Sequence, residues 1–300
     1  MGNSGLFNGL KAVYYKYNKK QNFNIILIMF VVVVGCGITT PVKATSDLSL
    51  VQSYATGYAI TAADIGLEAV LKNPAAMTLN QSRSALINLN ESYSMDIYHG
   101  FLALGFKLTN KTQVALSLPV TQVSNIKETV VTEGAAQQVG TFTSTSLQPT
   151  LSVNKQWGST LSTGVNVIGL FDQVYSESAT GFAIDLGLVY KLDRLAVGLA
   201  LQNIGWTKTW TTQTTQTKST QLNVGITMKP IKQIAFLADM SIIEEEQEVN
   251  IGAKYMVLSN LDFNLGVRDL GQENQYRAGV GFYIKATALQ YSYGYHQSLG

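Results

Sequence analysis

From Ala85 onward the chain alternates bulky apolar side chains with small or polar ones, which is the period of an extended strand whose two faces meet different surroundings. Leu102, Leu104 and Phe106 share a face opposed by Ala103, Gly105 and Lys107. Leu195, Val197, Leu199 and Leu201 oppose Ala196, Gly198, Ala200 and Gln202, and Leu261, Phe263, Leu265 and Val267 oppose Asp262, Asn264, Gly266 and Arg268. Cut at turn residues, the pattern predicts thirteen strands: 84–92, 98–108, 112–132, 138–156, 158–171, 180–192, 194–204, 219–229, 233–243, 247–256, 261–269, 275–285 and 287–296. A tilted strand needs roughly 9–11 residues to cross a bilayer, whereas globular strands run to about five or six.

The links alternate in length. Asn110-Lys111, Trp157-Gly158, Asp193-Arg194, Pro230-Ile231, Asn260 and Lys285-Ala286 read as tight turns, and longer links such as 172–180 and 205–218 lie between them. Short periplasmic turns and long external loops are the rhythm of an outer-membrane barrel. Alternation alone also fits a soluble sandwich with its apolar face inward; the link rhythm argues against that. Such barrels have even strand numbers and tolerate no unpaired edge in lipid. A fourteenth strand is therefore expected beyond Gly300, a miscount by one being the other reading. Pro119 and Pro149 fall inside neighbouring strands, where proline removes a ladder donor, so a bulge is expected there. The two long strands beside it read as a projecting hairpin turning at Gly134-Ala135-Ala136.

Charged residues make up 13% of the chain, against about a quarter in soluble proteins. No apolar run after residue 45 approaches the ~18 residues of a membrane helix. The start reads as a signal peptide over residues 1–44: Lys11, Lys16, Lys19 and Lys20 precede the apolar stretch Ile25–Val34, and Val42-Lys43-Ala44 suits cleavage before Thr45. The alternatives are lipoprotein processing at Cys36 and a retained anchor. Cys36 is the only cysteine, so cleavage after Ala44 leaves a chain without disulfides. A net charge of +2 with no basic cluster beyond residue 20 gives no ground for nucleic-acid binding.

Residues 45–83 precede the barrel proper, 84–300. Thr61 to Met77 reads as a helix capped by Asp64 and ended by Lys72-Asn73-Pro74, since the residue before a proline avoids the helical region. Such a helix is expected as a plug in the lumen or a periplasmic lid. The segment 57–78, with Ala62, Asp64, Gly66, Ala69 and then Asn73, Pro74 and Ala75, resembles the N-terminal signature of FadL-like outer-membrane β-barrel proteins, nearest to the PorV/PorQ and UPF0164-type relatives. The stretch 197–205 resembles a mid-barrel segment of those relatives, and Tyr291–Gly300, with Tyr295-His296 and Leu299-Gly300, resembles their last loop, after which another strand follows. The resemblance implies an all-β antiparallel transmembrane barrel of fourteen strands with a lumenal helical plug. Some members carry hydrophobic small molecules, and others serve as secretion or attachment components that meet a secreted or surface protein partner.

Candidate chemistry is sparse. His99 and His296 are the only histidines and fall in different strands, short of the three or four clustered ligands zinc wants, so no metal is expected. Gly279-Val280-Gly281 lies within strand patterning with no helix after it, so no nucleotide cofactor is expected. No Ser/His/acid set or carboxylate pair stands out, and no catalytic residue is assigned. Glu244-Glu245-Glu246 reads as a solvated external turn, and Tyr291, Tyr293 and Tyr295, with Trp206 and Trp210, read as interfacial aromatics. Asp185, Asp239, Lys254, Asp262, Arg268 and Arg277 all take the polar face of their strands. Pointing inward they can pair with one another, either bracing the barrel against its plug or forming a polar constriction.

Overall fold

The computed structural model describes residues 10–16, 50–92, 96–132, 135–284 and 287–296. The apolar stretch of the expected leader, Ala44, Cys36, Gly134, the Lys285-Ala286 turn and residues 297–300 lie outside the described residues. Within them one antiparallel sheet of sixteen strands forms. In chain order these are β1 (Leu10–Lys16), β2 (Arg83–Ser92), β3 (Ile97–Lys107), β4 (Thr112–Thr132), β5 (Ala135–Leu147), β6 (Thr150–Trp157), β7 (Leu161–Val174) and β8 (Glu177–Lys191). There follow β9 (Leu195–Trp210), β10 (Thr215–Thr217), β11 (Gln221–Ile231), β12 (Ile234–Ile243), β13 (Glu246–Leu258), β14 (Leu261–Arg268), β15 (Gln275–Ile284) and β16 (Thr287–His296).

Neighbours in sequence pair around a ring, and β1 lies between β16 and β2, with Val13 opposite both Leu289 and Ile87. The sheet therefore closes on itself. β5 and β6 share one place in the wall, because β5 pairs with the outer part of β4 and β6 with its inner part, and both pair with β7. β10 is a short flap on β9. The wall thus has fourteen places, and each of the thirteen expected strands occupies one. The fourteenth, expected beyond Gly300, is instead taken by β1, which comes from the segment read as a leader. The break between β5 and β6 falls at Gln148-Pro149, where the bulge was expected: the Gln148 amide donates to the Pro119 carbonyl at 3.0 Å, and the Pro149 carbonyl accepts from Gly169. Beyond it β4 and β5 continue as the projecting hairpin.

Burial settles which face looks outward. Leu102, Leu104, Leu199, Leu201, Phe263 and Leu265 are exposed, while Asn154, Asp185, Asn223, Asp239 and Asp262 are buried. A soluble sandwich has the opposite sign. A continuous outer apolar wall is stable in lipid, and closure leaves no backbone edge unpaired there.

The lumen holds residues 50–82. Its regular pieces are α1 (Val51–Ala55) and two 3-10 helices, η1 (Gly66–Leu71) and η2 (Pro74–Ala76). α1 packs on β14, β15 and β16, η1 on β2 and β3, and η2 on β6, β7 and β8. The single helix expected over Thr61–Met77 is not formed. Gly66 takes φ +72, which breaks any helix through it, and Asp64 is exposed, with Ile65 at the start of η1 and no side-chain cap. The chain does turn at Lys72-Asn73-Pro74 as expected, with the Asn73 side chain accepting from the Ala75 amide.

Candidate functional site: the plugged lumen

The lumen has two unlike sides. Around β2, β3 and β4 it is apolar: Leu86, Phe101, Ala103 and Ala115 on the wall pack against Leu50, Val51, Leu67, Val70, Met77 and Leu79 of the plug, all fully buried. Around the rest of the wall polar contacts join smaller apolar ones at Leu237 and Val189, and there the wall supplies what the plug's irregular backbone lacks. The amide of Asn154 donates to the Ala75 carbonyl at 2.7 Å, that of Asn166 to Val70, and that of Gln202 to Leu71. Asn73, one of the plug-motif residues, is completely buried and donates to Thr61 O within the plug and to Leu188 O of β8. Buried carbonyls need such donors. Their supply from outside explains why the plug does not need to be one helix.

Glycine makes this contact possible. Gly164, Gly187, Gly198, Gly225, Gly252 and Gly266 face inward where the plug's backbone or short side chains approach, and a Cβ at Gly198 would strike the Thr61 carbonyl. In the plug, Gly57 adopts φ +65 and comes so near β14 that a Cβ would lie 2.7 Å from the Val267 carbonyl oxygen, so both its conformation and its space exclude a side chain.

The structure brings most of the predicted lumen charges into named partnerships. Asp239 accepts from the Thr61 amide at 2.8 Å and its hydroxyl at 2.7 Å, and pairs with Lys72 at 3.2 Å. Lys72 also donates to the Tyr58 carbonyl at 2.8 Å. This buried group fastens the plug to β12. Lys254 pairs with Asp262 at 2.8 Å, and Asp262 also accepts from the Tyr283 hydroxyl and the Asn264 amide. Arg268 pairs with Glu248 through two nitrogens. Asp185 makes no ion pair among the described residues and instead accepts from the Asn166 side chain and the Asn203 amide. Asp64 stands apart, exposed, while Pro74 and Ala75 sit buried in η2.

Arg277 differs from the other cations. Its guanidinium lies 4.0 Å from the ring centre of Tyr54 and 4.8 Å from that of Tyr58, and Tyr58 also receives Arg268 at 4.9 Å. Nη2 donates to the Gln275 side chain, but Nε and Nη1 are buried without an acceptor. A cation–π contact is worth about 0.5–2 kcal/mol, while each buried N–H left unmade costs about 1–3 kcal/mol, so the rings do not compensate the group fully.

Three features were not singled out from sequence. Glu68, completely buried in η1, accepts from the Ser53 amide at 2.9 Å at the start of α1. Burial pushes its carboxyl up from the ordinary 4.5 to about 7, against the pull of those amides and of Lys254. The apolar side of the lumen was hidden because Phe101 falls on the face where Ala103 and Gly105 suggest small residues. At the external end of the wall Lys208 pairs with Asp172 and stands near the rings of Trp206 and Trp210. There Trp206 and Trp210, read as interfacial aromatics, serve a lysine, whereas Tyr293 and Tyr295 do face outward. His99 lies 3.0 Å from the Thr121 hydroxyl.

No protein-family model matches the sequence, and none of the curated proteins does. Solved structures do match in fold. The toluene transporter TbuX of Ralstonia pickettii superposes with a TM-score of 0.58 at 13% identity, covering 81% of this chain and 95% of its own. The toluene transporter TodX of Pseudomonas putida gives 0.58 at 12% identity, covering 82% and 96%. The chain thus has the FadL-like barrel fold that its N-terminal segment resembles. These likenesses lend the PorV/PorQ relationship no support.

Proposed function

We propose that this barrel resides in the outer membrane of a Gram-negative cell and that it lets small hydrophobic molecules pass between plug and wall without catalysis. The observation that carries the reading is the two-sided lumen. The plug is tethered on one side by Asp239, Asn154, Asn166 and Gln202, and meets β2, β3 and β4 on the other mainly through apolar contacts around Leu86 and Phe101, with one hydrogen bond from the Leu79 amide to the Gln113 side chain of β4. An apolar solute can replace those apolar contacts at little polar cost, so it has a route along this flank while the tethers, the Leu79–Gln113 bond included, hold. The shared fold with two toluene transporters supports toluene as the first probe.

Cells carrying the protein in their outer membrane should take up labelled toluene several-fold faster than cells without it. Phe101→Asp should remove the gain while leaving protein level and heat-dependent gel mobility unchanged. Equal uptake with and without the wild-type protein would sink the reading.

A second reading, docking of a secreted or surface protein, rests on the β4–β5 hairpin, where Val130, Val131 and Val139 are exposed beyond the barrel wall. Trimming the hairpin should abolish capture of such a partner without altering toluene uptake; unchanged capture would remove this reading.

A further inference from the structure

Lys72, Lys208, Lys254 and Arg268 each have a carboxylate within ion-pairing distance. Among the described residues Arg277 has none, although the residue is only 7% exposed and its Nε and Nη1 lack an acceptor. We propose that Arg277 is an anion-binding residue of the lumen, and that its ligand is the carboxylate of a small, singly charged solute.

The geometry narrows the chemistry. The rings of Tyr54 and Tyr58 stand against the guanidinium, and its unused N–H groups point along its own plane, the direction in which a carboxylate's two oxygens accept. The charge count favours one negative charge. The neighbouring cation across Tyr58, Arg268, already pairs with Glu248, so among the described residues Arg277 is the cation at this place without a carboxylate. A phosphate dianion would exchange a buried cation for a buried excess anion, at no advantage in a poorly solvated lumen. The site also joins the two parts of the molecule: Arg277 belongs to β15, whereas Tyr54 and Tyr58 belong to the plug. A bound carboxylate therefore sits at a seam between wall and plug.

Benzoate and its uncharged analogue benzamide test this on the purified full chain by titration calorimetry. Benzoate should bind, and benzamide should bind about tenfold more weakly or not at all, the expected loss of a charge-assisted pair. Arg277→Gln should erase the preference, and Arg277→Lys should weaken benzoate binding because it keeps the charge and loses the planar fork. Gln275→Glu supplies a carboxylate in cis to the intact Arg277, and should abolish benzoate binding while the heat-dependent gel shift persists. That variant keeps the proposal testable even where Arg277→Gln fails to insert. Equal binding of benzoate and benzamide to the wild type, or undiminished benzoate binding in Gln275→Glu, would overturn it. The inference stands apart from the passage reading, since uncharged toluene uptake tests that one and either can fail alone.

Discussion

At the residue scale, the inward-facing charges could be named from alternation alone, because Asp239 or Asp262 pointing into lipid would be untenable. Their partners could not. Lys72 reaches Asp239 across 167 positions of sequence only because the plug turns back through the lumen, and Asp185 finds amides where a cation was expected. The Asp239 group makes the first prediction. Asp239→Asn leaves the Lys72 ammonium buried without its counter-charge, a loss of about 3–5 kcal/mol by the usual cost of breaking a buried pair. Trypsin should then cut after Lys72 in the folded variant and leave the wild type intact; equal resistance would show that the pair does not hold the plug. Glu68 makes the second. Its carboxyl is raised in the fold, so the folded state binds its proton more tightly than the unfolded chain. That contribution is fully present below pH 4.5 and is lost as pH rises through about 7, a change of roughly 3 kcal/mol. The midpoint of thermal unfolding should fall across this window in the wild type and stay level in Glu68→Gln, which keeps an acceptor for the Ser53 amide without titrating. A slope that survives the substitution would place the titrating group elsewhere.

At the scale of elements, thirteen strands were legible because each must satisfy lipid on one face and a crowded lumen on the other, and a two-residue period is the only pattern that does both. The plug was not. Its sequence carries a helical spacing from Thr61 to Met77, but its backbone is satisfied by Asn154, Asn166 and Gln202 from three different strands, none of which a local reading can see. The inward glycines show the same dependence. They read as small residues thinning the lumen face, and their specific task, giving room to the plug's backbone, appears only with the plug in place. Gly198→Val should drive the Thr61 region off β9, with an overpacking cost of about 1–3 kcal/mol. The barrel itself should still close, because β9 pairs with β8 and β11 through backbone groups that the change leaves alone. The expected outcome is a wild-type heat-dependent gel shift together with faster proteolysis of residues 58–77. Loss of the shift would mean that the plug is needed for the barrel to form.

At the scale of the whole molecule, closure is the property on which the lipid-facing wall depends. The ring is completed by β1, whose six paired positions with β16 and six with β2 remove what would otherwise be two bare edges. β1 lies within the segment read as a leader, so cleavage after Ala44 and closure by β1 exclude one another in the same molecule. A chain of residues 45–300 would present the inward-running side of β2 and the outer side of β16 to the membrane, and lipid offers no donor or acceptor for either. Refolded side by side in detergent, residues 1–300 should show the heat-dependent mobility of a closed barrel, and residues 45–300 should not. Adding a synthetic peptide of residues 8–18 to the shorter chain should restore the shift, because antiparallel pairing to both neighbours needs only a free strand of that length. If residues 45–300 shift as well as the full chain without the peptide, β2 and β16 meet directly and the wall closes with thirteen strands. Mass spectrometry of the protein taken from membranes then decides which case the cell uses: an N-terminus at Thr45 means that β1 cannot be the strand that closes the barrel in place.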